Sequence, residues 1–215
     1  TEEFSGWPAE AFITRVLVDG LRAAHCAMGA NFTFGHRAAG TVEMLIVTGP
    51  EQGFTAERVD LVEMAGRRVS SSSVGDALAN GDLGWPGVAL GRRFVLDGTV
   101  VSGAGRGQGL GYPTANLRTG QRLLLPGRGI YAGRALVDGR PHVAAISVGT
   151  NPTFGVEPLH VEAYLLDFDG DIVGSEIAVE FWAYLRDEER FDTPEQLSDA
   201  IGEDVRRTRE LVAET

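Results

Sequence analysis

The sequence predicts a partial α/β segment over residues 1–91 and a mainly β domain over residues 92–215, a small antiparallel barrel with a C-terminal helix. Helical and strand patterns alternate before Gly91, which is typical of an α/β layer. From Phe94 onward, short strands are separated by turn signals and one well-capped helix comes last, a pattern typical of a small barrel. A chain of 215 residues is long enough for two small domains of this kind.

The first 91 residues begin with an amphipathic pattern over residues 8–24, which predicts a helix. Three further elements are predicted in the order strand, helix, strand: residues 25–28, 41–47 and 59–64. The last strand is expected to end at the Ala65-Gly66 turn.

The second part of the chain is a series of short apolar strands. The predicted strands cover residues 94–101, 130–137, 143–148, 160–168 and 172–185. Asp138-Gly139 is a strong hairpin signal between the second and third strands, and Asp169-Gly170 predicts a hairpin that joins the last two.

The C-terminal helix is well marked at its start. Thr193 is the expected N-cap, Pro194 suits the first helical position, and Gln196 completes a capping box. The apolar stripe that we expect to lie across the barrel consists of Leu197, Ile201, Val205 and Val212.

Charge and cysteine content narrow the function classes. The net charge of −11 argues against a nucleic-acid or anionic-membrane surface, where basic patches are the rule. One cysteine, Cys26, excludes an internal disulfide and suits a reducing compartment. No apolar run reaches the roughly 18 residues of a membrane span. We therefore expect a cytoplasmic protein without nucleic-acid or membrane partners.

The absence of lysine excludes several kinds of enzyme, because all 19 basic residues are arginine. P-loop kinases and protein kinases both use a lysine on the nucleotide phosphates, and Schiff-base enzymes use one as nucleophile. Any phosphoryl transfer must therefore rely on main-chain N–H groups, arginine and metal.

The most informative stretch has five glycines in nine residues: Gly103-Ala-Gly-Arg-Gly-Gln-Gly-Leu-Gly111, followed by Tyr-Pro-Thr-Ala-Asn116. Glycine lets a phosphate approach main-chain N–H groups, although many glycine runs are linkers. Thr114 and Asn116 add the hard oxygen ligands that Mg²⁺ prefers beside phosphates.

This stretch resembles the nucleotide loop of riboflavin kinases, and three later motifs extend the resemblance over residues 92–212. One resembles the family's Asn-Pro-x-Phe loop: Ser147-Val-Gly-Thr-Asn-Pro-Thr-Phe-Gly155. Another is similar to its glutamate-bearing strand: Val161-Glu-Ala-Tyr-Leu-Leu-Asp-Phe-Asp-Gly-Asp-Ile-Val-Gly174. The last matches its Leu-Arg-x-Glu-x-x-Phe signature: Leu185-Arg-Asp-Glu-Glu-Arg-Phe191.

The resemblance implies a six-stranded Greek-key flavokinase barrel that transfers the γ-phosphate of MgATP to the 5′-hydroxyl of riboflavin, giving FMN. Glu162 is then the expected catalytic base. The alternation of the strand by itself allows a second interpretation equally well, in which Glu162 lies on the outward face of the strand. Nucleotide binding is expected from Gly103, Gly105, Arg106, Gly107, Gly109, Gly111, Thr114 and Asn116. Thr114 and Asn116 are also the expected Mg²⁺ ligands, and flavin binding is expected from Arg186, Glu188 and Phe191.

The first 91 residues resemble the second half of the Rossmann-like FMN adenylyltransferase module of bacterial bifunctional FAD synthetases. Gly29-Ala-Asn-Phe-Thr-Phe-Gly35 is similar to one of its loops, and Val69-Ser-Ser-Ser-Ser-Val-Gly75 lies where its Ile-Ser-Ser-Thr-x-Ile-Arg motif is expected. Gly75 replaces the arginine of that motif, and the module's opening half is not represented. We therefore expect a scaffold or a surface for homo-oligomerisation, and no adenylyl transfer.

Two other functions stay open on these residues. A bifunctional riboflavin kinase/FAD synthetase is one, although Gly75 in place of the motif's arginine argues against the FAD synthetase activity. A non-catalytic flavin-binding regulator is the other, although the presence of Glu162, Thr114 and Asn116 favours the enzyme.

Overall fold

The computed structural model of the chain describes residues 2–103, 105–120, 123–150 and 159–213. The chain divides into two compact units, Thr1–Val69 and Ser70–Thr215. The unit boundary therefore lies about twenty residues before the predicted domain boundary, because α4 (Ser71–Ala79) and α5 (Gly84–Leu90) belong to the second unit.

The first unit is a small α/β layer. Its helices are α1 (Glu2–Ser5), α2 (Ala9–Phe12), a π-helical continuation of α2 (Ile13–Gly20), a 3₁₀ turn (His36–Ala38) and α3 (Val42–Gln52). Its strands are β1 (His25–Gly29), β2 (Thr33–Phe34), β3 (Gly40–Thr41), β4 (Thr55–Val59), β5 (Glu63–Met64) and β6 (Arg67–Arg68). Strands β1 and β4 pair in parallel, and Thr41 caps α3 by accepting from the Met44 N–H at 3.3 Å. The predicted α/β character is confirmed, and a Rossmann-like origin stays a prediction.

The strand predicted over residues 59–64 is wrong. Strand β4 ends at Val59, where its pairing with β1 ends, and a separate hairpin of β5 and β6 follows. The turn of that hairpin is the predicted one, since Ala65 and Gly66 have φ of 51° and 71°.

The second unit is a closed six-stranded barrel with a helix at its C-terminus. Its strands are β7 (Phe94–Val101), β8 (Ala115–Arg118), β9 (Gly129–Val137), β10 (Arg140–Gly149), β11 (His160–Leu165) and β12 (Glu176–Arg186). Their order around the barrel is β10, β11, β8, β7, β12, β9, and all the pairs are antiparallel. Besides α4 and α5, which precede β7, helix α6 (Arg106–Gly109) lies in the connection between β7 and β8, and α7 (Pro194–Ala213) follows β12.

Inward side chains of every strand fill the barrel, with Tyr131 and Phe181 among the largest that are fully buried. The β9–β10 hairpin turns at Asp138 and Gly139, whose φ angles of 50° and 74° suit the predicted two-residue turn. Thr193 caps α7 by accepting from the Gln196 N–H at 3.3 Å, while the Gln196 side chain accepts from Asp192 N–H rather than completing the box at Thr193.

The hairpin predicted around Asp169-Gly170 is wrong. Strand β11 pairs with β10 and β8, whereas β12 pairs with β7 and β9, so the two strands lie apart in the barrel. Strand β12 also begins at Glu176 rather than at residue 172.

Candidate active site

Glu162 lies on the middle of β11, between β8 and β10. Its chain neighbours Val161 and Ala163 point into the barrel core and are fully buried. The alternation of the strand therefore turns Glu162 away from the core, into a cavity of about 340 Å³ that is also lined by His160 and Tyr164. The Glu162 side chain is 28% exposed, so the outward face of the strand is here the wall of a cavity.

The Glu162 carboxylate has a partner on each oxygen. Thr114 Oγ1 donates to Glu162 Oε2 at 2.9 Å, and His160 Nε2 lies 3.4 Å from Glu162 Oε1. Asn116 is the cross-strand partner of Glu162 in the β8–β11 register. The structure thus brings together the predicted base and both predicted metal ligands, although they are 46 or more residues apart in the chain.

The glycine-rich stretch approaches this cluster closely. A side chain at residue 103 would overlap the Asn116 amide, and one at residue 107 would overlap the Tyr112 carbonyl. Gly105 and Gly111 have φ of 68° and 85°, which L-residues rarely adopt. Between them the chain forms the single helical turn α6, so the stretch is a folded loop rather than an extended linker.

Two cavities meet at this loop. The larger one contains Glu162, and a second of about 280 Å³ is lined by residues of β7, by the loop and by the segment after β11. Gly105, Thr114 and Asn116 line both cavities. A molecule in one cavity and a molecule in the other would therefore face each other across these three residues and beside Glu162.

The three predicted flavin-binding residues belong to the wall of the larger cavity. Arg186, Glu188 and Phe191 all line the cavity, and the Arg186 guanidinium lies 5.8 Å from the Phe191 ring centre. An irregularity in the β9–β12 register between Tyr184 and Arg186 breaks the alternation just where Arg186 emerges. Such bulges commonly re-aim a side chain at the rim of a barrel.

Sequence reasoning missed the partner of Arg186. Asp204 of α7 accepts from Arg186 Nε at 2.9 Å and from Nη2 at 2.7 Å, and its side chain is 5% exposed. This bidentate bond raises the pKa of Arg186. The sequence did contain an indication that Asp204 is buried. Its position is next to Val205 and three residues after Ile201, on the helix face that the apolar stripe predicts to lie against the barrel.

Two predicted positions fall partly outside the described structure. The Asn-Pro-x-Phe motif at residues 151–154 lies outside the described residues, as does the Arg106 side chain. Gly109 is described, and apart from its chain neighbours and the backbone of its own helix, no atom of the described residues lies within 4 Å of the position that a Cβ atom would take there.

The donor set suits a hard divalent cation that arrives with phosphates. Thr114 Oγ1 and the Asn116 amide oxygen are neutral oxygen donors, and Glu162 adds one carboxylate beside them. Mg²⁺ is usually held by one or two protein oxygens together with phosphate oxygens and water. No three His, Cys, Asp or Glu residues in the described part of the chain gather into a self-sufficient metal site.

Comparison with known proteins identifies the family. Residues 90–212 match the model described as riboflavin kinase, and residues 1–73 match the model described as FAD synthetase. The chain therefore belongs to the riboflavin kinase family, and its barrel is the flavokinase fold that the sequence predicted.

Similar proteins are named bifunctional riboflavin kinase/FMN adenylyltransferase. The bifunctional riboflavin kinase/FMN adenylyltransferase of Pseudomonas fluorescens is 39% identical over 206 residues, which cover 95% of this chain and 66% of that protein. The protein of the same name from Escherichia coli strain K12 is 34% identical over 209 residues, covering 97% of this chain and 66% of its own length. The chain thus spans about two thirds of the length of these relatives.

A solved structure is similar over nearly the whole chain. It is described as a macrolide-efflux protein from Streptococcus pneumoniae, is 30% identical, and has a TM-score of 0.81 with 97% of this chain and 67% of that one covered. In the part of this chain that is described, no helix has the length and apolar character needed to cross a membrane.

Proposed function

We propose that this chain is an ATP:riboflavin 5′-phosphotransferase, with residues 92–215 as its kinase domain. The observation that carries the proposal is the cluster of Glu162, Thr114 and Asn116 at the place where two cavities meet. Phosphoryl transfer needs a donor and an acceptor in line, charge neutralisation, and a group that takes the acceptor's proton. The cluster offers oxygen ligands for a charge-neutralising metal ion and a carboxylate that can take the proton, beside the loop that separates the cavities.

The smaller cavity suits the nucleotide in this proposal. Gly103 and Gly105 line this cavity without side chains, so phosphates could approach the main-chain N–H groups of the loop there, and the neighbouring Thr114 hydroxyl and Asn116 amide offer oxygen ligands. Mg²⁺ held by those oxygens and the phosphates would neutralise charge on the transferring group. Arginine and N–H groups then replace the lysine that other kinases use.

Riboflavin occupies the larger cavity in this proposal. Phe191 offers an aromatic face to the ring system, Arg186 offers donors to the ring carbonyls, and Glu188 offers an acceptor. The ribityl chain would then run toward Glu162, whose carboxylate accepts the proton of the 5′-hydroxyl as that oxygen attacks the γ-phosphorus. The bond from the γ-phosphorus to the bridging oxygen of ATP breaks, and ADP leaves as FMN forms. Thr114 and His160 hold that carboxylate in place before substrate arrives.

Incubation of the protein with riboflavin, Mg²⁺ and ATP tests the proposal. Chromatography should resolve FMN as the flavin product, and omission of Mg²⁺ should abolish it. Parallel reactions with CTP give the nucleotide preference. Retention of riboflavin alone under all these conditions would contradict the proposal, and tight flavin binding without FMN would favour the regulator instead.

Residues 1–91 are proposed to act as a scaffold or an oligomerisation surface. Support comes from Gly75, which lies in α4 and where an added Cβ atom would lie 3.5 Å from the Leu124 side chain. A glycine supplies no charge for phosphates, so adenylyl transfer lacks the arginine that the resembled motif contributes. The oligomeric state, measured by light scattering with and without residues 1–69, tests the second role.

A further inference from the structure

The bond between Arg186 and Asp204 joins the end of a barrel strand to the middle of the C-terminal helix. Arg186 is 21% exposed, Asp204 is 5% exposed, and the two side chains make two parallel N–H···O bonds of 2.9 Å and 2.7 Å. Arg186 Nη1 also donates to the Asp187 carbonyl at 3.0 Å. Three of the five guanidinium N–H groups are therefore fixed within the protein.

We propose that Asp204 is a positioning residue that holds the Arg186 guanidinium in the plane in which it donates to the carbonyl edge of the flavin ring. This inference rests on the proposed function of the larger cavity. Asp204 lines that cavity too, so the pair forms part of its wall rather than a bond elsewhere on the surface.

The geometry favours positioning because an arginine side chain has many rotamers. Ordering such a chain only when a ligand binds would lower affinity, whereas a bidentate carboxylate orders it beforehand. The two N–H groups of Arg186 that have no partner among the described residues remain for a ligand. They belong to the two terminal nitrogens, and the Phe191 ring lies 5.8 Å from the same guanidinium.

The alternative interpretation is that the Arg186–Asp204 pair only attaches α7 to the barrel and has no role in binding a ligand. Apolar contacts already bind α7 to the barrel, since Val212 is buried in one cluster with Ala132 and Leu185. Replacing a buried ion pair by apolar residues is often neutral for stability, so a buried carboxylate at residue 204 is not explained by packing alone. A carboxylate that orients a ligand-binding arginine does explain it.

The test compares Asp204→Asn with Glu203→Gln. Asp204→Asn keeps the shape but loses the charge and one acceptor for the guanidinium. Glu203→Gln removes one charge from the same helix, where Glu203 pairs with Arg206 on the exposed surface. Riboflavin affinity is measured by quenching of flavin fluorescence, and MgADP affinity by calorimetry.

We expect Asp204→Asn to weaken riboflavin binding by about 10- to 100-fold, since charged hydrogen bonds are involved, with MgADP binding changed less than about twofold. Glu203→Gln should leave both affinities unchanged. Adding Asp204→Asn to Arg186→Ala should cost nothing further in riboflavin affinity, because Asp204 acts through Arg186. If Asp204→Asn does not fold, Asp204→Glu, which keeps the charge but displaces it by one methylene, replaces it in the comparison.

Three results would overturn the inference. The first is riboflavin affinity within twofold of the wild type in the Asp204 variant. The second is an equal loss of riboflavin and MgADP affinity, which a structural role predicts. The third is additive losses in the double variant. Failure of the wild-type protein to bind riboflavin would instead refute the proposed function, so the two ideas fail in different ways.

Discussion

Replacement of Glu162 by glutamine is the perturbation that most directly addresses the mechanism. Glutamine keeps the size of the side chain and can still accept from Thr114 Oγ1, which donates to Glu162 at 2.9 Å. It cannot take a proton from an alcohol. Because positioned proton transfer typically contributes 10²–10⁴-fold, turnover should fall by about that factor, equivalent to about 3–5 kcal/mol in the activation barrier.

The same substitution should have little effect on folding. Glu162 is 28% exposed and keeps one of its two polar partners as an amide, so the free energy of unfolding should fall by about 1 kcal/mol or less. Riboflavin and MgATP should bind within a few fold of the wild type, because neither the glycine loop nor Arg186 is altered.

The assay measures FMN formation under saturating MgATP, together with riboflavin affinity on the same preparation. Glu180→Gln is the matched control, since Glu180 lies on β12, accepts from Trp182 Nε1 at 3.3 Å, and is not among the described residues that line the cavities. Near-normal turnover of Glu162→Gln, or an equal loss in the control, would refute the assignment of Glu162 as the base.

Three further predictions concern the nucleotide side and the N-terminal segment. Thr114→Ala and Asn116→Ala should weaken MgATP use far more than riboflavin binding, because both remove oxygens from the metal–phosphate site; identical kinetics across a magnesium titration would contradict this. Gly103→Ala should raise KM for MgATP by about tenfold or more, since its methyl group would displace the Asn116 amide, whereas Gly84→Ala, whose methyl group would meet only the Asp82 carboxylate at an ordinary 3.6 Å, should be nearly silent. The protein should form no FAD from FMN and ATP, because Gly75 carries no charge for phosphates; FAD formation at a rate comparable to that of FMN would refute this.

Local chemistry explains which parts of the fold were predictable. The Asp138-Gly139 hairpin and the Thr193 cap depend on residues within a few positions of each other, and both occur as predicted. Strands β7 and β9 were also placed within one residue of their observed bounds. Alternation and turn signals suffice for elements of this kind.

The pairing of strands β11 and β12 was not predictable by the same means. A turn signal at Asp169-Gly170 shows that the chain reverses, but it cannot show which strands the two flanking segments join. In the closed barrel, β11 forms its backbone hydrogen bonds with β10 and β8, whereas β12 forms its own with β7 and β9. Such long-range choices depend on the whole barrel, so the hairpin prediction was wrong.

In the candidate site, too, residues within motifs were predictable and contacts between distant parts of the chain were not. The resemblance located Glu162, Thr114 and Asn116, and the register of β8 with β11 explains why these residues meet. His160 carries no motif signal, because it contributes through a contact with Glu162 that exists only in the folded barrel; for Asp204 the helical periodicity marks an inward carboxylate but does not identify Arg186 as its partner. The Gly75 departure, in contrast, was visible in the sequence because it interrupts a motif.

Transfer of isotopic label from ATP to riboflavin tests the central claim most directly. The protein is incubated with riboflavin, Mg²⁺ and ATP labelled in the γ-phosphate, and the flavins are separated and counted. The account predicts label in FMN with the wild-type protein, and about 10²–10⁴-fold slower labelling with Glu162→Gln. Unlabelled flavin from the wild-type protein, with riboflavin and MgATP both saturating, would contradict it.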